Sequence, residues 1–329
     1  MGNNNFAARV ISIYPDKIKV KTIKVGRVMQ KSILGNILVL LVLNTILFIP
    51  RASRSEEFTF RLMNYNVKGL PLPWLKHKAR YQRIGKALNT LRGQNLFPDV
   101  INLEEAIHGQ TEEIRKAAAL PFYAKGPLGK GLRTSGGLKT LSRFEIVAAK
   151  EYVYDRCGSY DCLARKGVLM TTIKVPGLPT LIDIYATHTQ AGPTGDPFIS
   201  RETCDGIRDR QVSQMADFIL ETHNAEHLLF VVGDFNFRQS DELYWFFVDY
   251  LYLKHSAQEC SMIYKCAGAA NPKEDWERMI DHQFYISTNH RGISVTPIYF
   301  DRHFSDPTGG KKLSDHRATL VQYKIEWGK

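Results

Sequence analysis

The sequence predicts an α/β sandwich built on mixed β-sheets. Three observations carry that reading. Strands alternate with helices early and late in the body, several neighbouring strands follow one another as hairpins do, and polar residues of ligand type recur where strands end. The first two argue for mixed sheets rather than a purely parallel one, and the third says where chemistry collects.

The elements follow in order. "TFRLMNYNV" (59–67) alternates apolar and polar residues as a strand does. "KHKARYQRIGKALNTLRG" (76–93) repeats apolar residues at helical spacing and ends on Gly93. "PDVINLEEA" (98–106) reads as a short buried strand, "GQTEEIRKAAA" (109–119) as a helix, and residues 136–154 as one or two strands. Residues 166–175 and 180–189 are strong strands, 200–224 a long amphipathic helix, and 226–236 a buried strand ending in a turn. Further strands are expected near 280–287, 292–299 and 318–325. The aromatic run "DELYWFFVDYLYL" (241–253) resembles a membrane-inserting patch in composition, but its spacing fits elements packed on the core.

The 329-residue chain is 44% apolar and 23% charged, which suits a folded globular protein and argues against disorder. Its net charge of +11 is uneven, since residues 1–32 contribute +6 of it. The body is therefore only mildly basic, which disfavours nucleic acid as a partner. After this basic tail comes "ILGNILVLLVLNTILFI" (33–49), seventeen residues without a charge. A positive flank before such a run is the signal or signal-anchor pattern. Pro50-Arg51-Ala52-Ser53 makes a poor cleavage site, so the reading is a tail (1–32), an uncleaved anchor (33–50), a linker (51–58) and a catalytic domain (59–329). That places the domain membrane-anchored and outside the cytoplasm, with secretion after cleavage as the alternative. "MGNNNF" has Phe6 where a myristoylation signal wants Ser or Thr. Five cysteines leave two readings open: Cys157/Cys162 and Cys260/Cys266 closing short loops with Cys204 left over, or five reduced thiols. With no CxxC pair, a cysteine zinc site is not expected.

Ligand-type residues gather in six stretches: Asn66 in "NYNVKG", Glu104 and Glu105 in "VINLEEA", His188 in "YATHTQAG", Asp234 and Asn236 in "VVGDFNF", Asp281 in "MIDHQFY", and Asp315 with His316 in "LSDHRA". Hard oxygen donors of this kind suit Mg²⁺, with Mn²⁺ as the substitute. A metal on a phosphoryl oxygen offsets the charge of an in-line displacement. A histidine oriented by a carboxylate takes a proton from water near neutral pH, and a second can donate to a phosphoryl oxygen. Singly, each has a plain structural reading: GDFN as a tight turn, Asp315 as a turn cap, His188 as a core histidine. Lys166 and Arg165 read either as the lining of a phosphate path or as a solvated strand start, and His108, His282 and His303 as structural or surface residues.

In this order, "NYNV", "DVINLEE", "THTQAG", "GDFN", "IDHQF" and "SDH" resemble the endonuclease/exonuclease/phosphatase superfamily over about residues 59–325. Within it, "SGGLKTLSRFEI" (135–146), "CLARKG" (162–167) and "YATHTQAG" (185–192) are most similar to the neutral sphingomyelinases, which hydrolyse sphingomyelin to ceramide and phosphocholine. The resemblance implies the DNase I-like fold, a four-layer sandwich of two mixed sheets flanked by helices. It implies that Asn66 and Glu105 hold the metal, with Asp315 reaching it directly or through water. Asp234 and Asn236 would orient the phosphate and the attacking water or leaving group, His188 would stabilise the transition state, and His316, oriented by Asp281, would be the general base. Glu104 stands where the family has Gln or Asn before its metal carboxylate, which leaves the register between Glu104 and Glu105 to be tested.

The function these readings point to is a Mg²⁺-dependent phosphodiesterase acting on a membrane phospholipid, most of all sphingomyelin. The alternatives are a nuclease or an inositol or small-molecule phosphatase of the same superfamily, and a catalytically inert, membrane-tethered binding module.

Overall fold

A computed structural model describes residues 55–69, 77–193, 198–268, 276–305 and 312–328. The basic tail, the apolar run 33–49 and the first half of the linker, residues 51–54, lie outside the described residues. Among the described residues no helix is long and apolar enough to cross a membrane.

Among the described residues, thirteen strands form two mixed sheets. The first contains β1 (Glu56–Asn66), β2 (Val100–Glu104), β3 (Phe122–Gly126), β4 (Leu138–Ser142), β10 (Ala267–Gly268), β12 (Ser294–His303) and β13 (Ala318–Trp327), in the order β10-β12-β13-β1-β2-β4-β3. The second contains β5 (Glu145–Val153), β6 (Gly167–Lys174), β7 (Ile182–His188), β8 (Leu228–Asp234), β9 (Lys254–His255) and β11 (Asp281–Tyr285), in the order β5-β6-β7-β8-β11-β9. The pairs β1/β2, β7/β8 and β10/β12 are parallel and the others antiparallel.

Helices cover both outer faces. On the first sheet, α1 (His77–Gly93) and α2 (Glu112–Ala118) bury Tyr81, Ile84, Leu88 and Ile114 against Met63, Tyr65, Ile101 and Leu103. On the second, α3 (Arg201–Thr222) and α4 (Glu242–Tyr250) bury Val212, Met215, Tyr244 and Phe247 against Tyr185, Val231 and Phe284. Between the sheets lies a third core of Phe60, Leu62, Val100, Ile184, Phe230, Val232 and Tyr323. This is the four-layer DNase I-like sandwich that the sequence predicts. A short fifth helix, α5 (Ser256–Glu259), follows β9.

Some details differ from the sequence reading. β1 reaches back to Glu56, into the expected linker, because Glu56–Asn64 pair in register with Trp327–Thr319 of β13. The expected helix 109–119 is a 3-10 turn at Gly109–Thr111 followed by α2. In the aromatic run, Tyr244 and Phe247 enter the core as expected, whereas Trp245, Phe246 and Tyr250 stay exposed.

The inner faces of the sheets set up the site. Strand side chains alternate between faces. Apolar rows therefore run Phe60-Leu62 on β1, Ile182-Ile184-Ala186 on β7 and Leu228-Phe230-Val232 on β8, all between the sheets. The next positions with the same parity are Asn64 and Asn66, His188, and Asp234. On β11 the row runs the other way, from Tyr285 through Gln283 to Asp281. Each core row thus ends in a polar residue at one edge of the sandwich.

Candidate active site

Asp234 is the hub. Its Oδ2 accepts from Asn66 Nδ2 at 3.1 Å and lies 3.6 Å from both His188 Nε2 and His316 Nε2. Strand register brings these together: His188 pairs with Asp234 across β7/β8, and Asp281 with Asp234 across β8/β11. After the strand the chain turns sharply. Asn236 takes a left-handed backbone (φ 53°), its N–H donates to Asp234 Oδ1 at 3.1 Å, and its Nδ2 donates to the Thr189 carbonyl at 3.2 Å.

His316 is held by Asp281, whose two carboxylate oxygens both lie 3.0 Å from its Nδ1. This fixes Nδ1 as the protonated nitrogen and turns Nε2 toward Asp234. Burial disfavours the imidazolium, but the Asp281 hydrogen bond and the charges of Asp281 and Asp234 outweigh it, raising the pKa to about 10. Asp234 is itself pushed up to about 7, by burial first and then by the Asp281 charge. Arg80 of α1 aligns the loop that carries His316. Its guanidinium donates to the Val67 carbonyl at 2.5 Å and to the Leu313 carbonyl at 2.6 Å, tying the end of β1 to residue 313. Ser314 Oγ adds a 2.7 Å bond to the Asn66 carbonyl.

The two adjacent glutamates diverge. Glu104 ends β2 opposite Asn66 and points between the sheets, fully buried, with neither carboxyl oxygen hydrogen-bonded. Burial, then the charges of Asp281 and Asp234, push its pKa well above the usual carboxyl range. Glu105 then adopts φ 51°, which swings its side chain to Asn66, where Oε1 accepts from Nδ2 at 3.1 Å. The backbone of Gly137 (φ 75°) passes so close to Glu105 that a Cβ there would meet its Cα at 3.0 Å, so this approach requires glycine.

On the far wall, the buried Lys166 donates from Nζ to Asp161 Oδ2 (2.8 Å) and to the Thr189 carbonyl (2.7 Å), and contacts His188 Nε2 at 3.1 Å. Burial first, then the charges of Lys166 and His316, hold His188 well below the usual histidine range, so it is neutral. An ammonium can only donate, so Nε2 accepts from Lys166 and Nδ1 carries the hydrogen. The sequence leaves Lys166 open between a phosphate path and a solvated strand start, and its burial excludes the second. Its neighbour Asp161 belongs to none of the six motif stretches, and Thr189 and Lys68 lie inside two of them without standing out as ligand-type residues, so spacing gives no signal for their part in the site.

Asn66, Glu105, His188, Asp234, Asn236, Asp281 and His316 thus meet at one edge of the sandwich. Asp315 is half exposed, and its Oδ2 is engaged by Lys68 Nζ at 2.6 Å, which holds its carboxyl below the usual range even though burial opposes this. Among the described residues, the three acidic or histidine groups whose ligand atoms lie within 4.8 Å of one another are Asp234, Asp281 and His316. Glu105 nevertheless fits a hard cation, because its Oε2 is buried without any hydrogen-bond partner.

Two mixed sheets back to back, with carboxylates, amides and a carboxylate-held histidine along one edge, define a DNase I-like protein. The Endonuclease/Exonuclease/phosphatase family profile matches residues 63–316, and the chain belongs to that family. A sphingomyelinase of Mycobacterium bovis is 29% identical over 187 residues, which are 56% of this chain and 35% of that protein. The match therefore spans about a third of the relative's length. Among solved structures, sphingomyelinase C from Streptomyces griseocarneus superposes with a TM-score of 0.57 at 19% identity, covering 80% of this chain and 99% of that one. Beta toxin from Staphylococcus aureus, in a structure with bound magnesium ions, gives 0.61 at 16% identity, covering 80% and 99%. These structural likenesses concern the fold.

Proposed function

We propose that the protein is a divalent-metal-dependent phosphodiesterase that hydrolyses sphingomyelin to ceramide and phosphocholine. The observation that carries the chemistry is the Asp281–His316–Asp234 line, an oriented imidazole whose Nε2 faces Asp234 at the edge where Asn66, Glu105, Lys166 and His188 converge. The sphingomyelinase relative supports the choice of lipid.

Glu105, through its unpartnered Oε2, and Asn66 beside it would hold the metal, with Mg²⁺ the ion suited to oxygen donors. When bound, the cation supplies charge that offsets the developing phosphoryl charge and, by like-charge repulsion, lowers the proton affinity of His316. The remaining steps belong to the chain. His316 Nε2 accepts the proton of the attacking water as the water oxygen bonds to phosphorus, and Asp281 stabilises the imidazolium that results. Lys166, backed by His188, presents positive charge to a non-bridging oxygen. Asp234 and Asn236 hold the phosphate in line, so that the bond to the ceramide oxygen breaks opposite the attack and that oxygen takes up a proton from solvent.

The two disulfides, Cys157–Cys162 and Cys260–Cys266, with Cys204 buried and free, support a domain outside the cytoplasm, and its anchoring through residues 33–49 is proposed from the uncharged run and its basic flank alone. The test of function is a substrate panel of sphingomyelin, phosphatidylcholine, supercoiled DNA and inositol phosphates, each with Mg²⁺ and with chelator. Release of phosphocholine from sphingomyelin in Mg²⁺ alone is expected. DNA nicking or inositol phosphate turnover without lipid turnover would transfer the assignment to a nuclease or phosphatase, and no turnover at all to a binding module.

A further inference from the structure

A cavity of about 410 Å³ opens beside the catalytic edge, within the size range of small-molecule sites. The buried Lys166 and His188 form its deep end, and the exposed Tyr160 and Leu163 stand at its mouth. Ile107 and Ala164 add apolar wall between them. Two carboxylates also border it, and both are committed. Asp161 Oδ2 accepts from Lys166 Nζ at 2.8 Å and from the Ala191 N–H at 2.7 Å. Glu105 is the metal ligand of the proposed reaction. Among the described residues, the walls therefore offer no unpaired carboxylate to a cation such as choline. They offer apolar side chains.

The position of the cavity relative to the two histidines says which part of a substrate meets it. His188 Nε2 and His316 Nε2 each lie 3.6 Å from Asp234 Oδ2, yet of the two only His188 lines the cavity. In an in-line displacement the leaving oxygen departs opposite the attacking one. Water that gives its proton to His316 enters on the His316 side, so the breaking bond points to the side of His188 and Lys166, where the cavity begins.

The mouth continues into a longer apolar lip. A tight hairpin at 130–133 is zipped to the disulfide loop Cys157–Cys162 and the residues after it. Arg133 Nε donates to the Cys162 carbonyl at 2.8 Å, the Thr134 N–H to the Leu163 carbonyl at 2.8 Å, and the Arg165 N–H to the Thr134 carbonyl at 3.1 Å. Leu128 and Leu132 on this hairpin are exposed, so apolar surface runs outward from Leu163, as a chain longer than the cavity would require.

We propose that this cavity receives the ceramide end of the lipid, the leaving group of the proposed function on which this inference rests. Leu163, Ile107 and the Tyr160 ring pack on its first carbons. As the water oxygen bonds to phosphorus, the electron pair of the breaking bond passes to the ceramide oxygen at the deep end, and that oxygen takes a proton from solvent.

The probe is hexanoyl sphingomyelin below its critical micelle concentration, with Mg²⁺ and the full chain in detergent. Phosphocholine release by the wild type tests the underlying function, and its absence removes both. With release established, Leu163→Ser should raise KM about tenfold with little change in kcat. It should weaken inhibition by hexanoyl ceramide by the same factor and leave inhibition by phosphocholine where it was. Leu163→Met should restore the wild-type values. Unchanged KM and ceramide inhibition overturn the pocket, and a loss confined to phosphocholine inhibition overturns it by giving the cavity to the headgroup. In parallel, a ceramide with a diazirine in its sphingoid chain should label residues 160–164 of the wild type on photolysis. Labelling that avoids this loop overturns the pocket without any variant having to fold.

Discussion

Replacing Glu104 by glutamine probes the backbone turn that sends two neighbouring glutamates to different places. Glu104 is fully buried between the sheets with no hydrogen bond to either oxygen, and its carboxyl is held protonated well above its ordinary value of 4.5. In the unfolded chain the same group ionises near 4.5. An acid whose folded pKa is raised contributes most to stability below its unfolded pKa, and loses that contribution as pH rises toward the folded pKa. Each pH unit in that window costs the wild type about 1.4 kcal/mol. Glutamine does not titrate, so the variant escapes the slope. As pH rises above 4.5, the stability of Glu104→Gln should rise relative to wild type, by up to about 1.4 kcal/mol per pH unit, whatever constant offset the new amide introduces. The assay is urea unfolding of both proteins in EDTA at several pH values, with m-values checked for equality. The variant should also keep its Mg²⁺-dependent turnover, because Glu104 faces away from Glu105. A stability difference that does not change with pH would refute the protonated, buried glutamate. A dead variant would move the metal carboxylate from Glu105 to Glu104.

The other expectations concern the cleft and the membrane. Glu105→Gln should abolish turnover, as EDTA does to the wild type, because it removes the carboxylate with the unpartnered buried oxygen; a persistently active variant would remove it from the metal site. His316→Ala should lower kcat by about 100- to 10,000-fold with little change in KM, and near-normal kcat would end its role as base. Asp281→Asn should cost less and move the acidic limb of the pH–rate profile to lower pH, since it withdraws the partner that raises His316 to about 10; an unmoved limb would contradict that pairing. Lys166→Met should lower kcat roughly 10- to 100-fold, the equivalent of one charged hydrogen bond, and an unaffected kcat would make Lys166 purely structural. Protease added to intact cells should digest the catalytic domain and spare residues 1–32, whereas the reverse pattern would invert the proposed orientation.

Local periodicity accounts for the part of this arrangement that is legible in the chain alone. Period-2 rows such as Leu228-Phe230-Val232 have to face a core, so Asp234, the next position in that row, has to sit at its end. The same logic carries Asn66, His188 and Asp281 to the edge. Contacts between segments far apart in the chain settle the rest. The split between Glu104 and Glu105 rests on a left-handed backbone at Glu105, packed against Gly137 more than thirty residues away. Lys68 engages the Asp315 carboxylate, and Lys166 is fixed by Asp161, Thr189 and His188 together. The two disulfides, open from sequence alone, follow from Cα separations of 5.1 and 4.8 Å that the loops impose. Alternation along a strand is set by the bonds of one segment. Which carboxylate meets which cation depends on the burial and charge of partners that chain folding brings together, and spacing in the sequence does not encode that meeting.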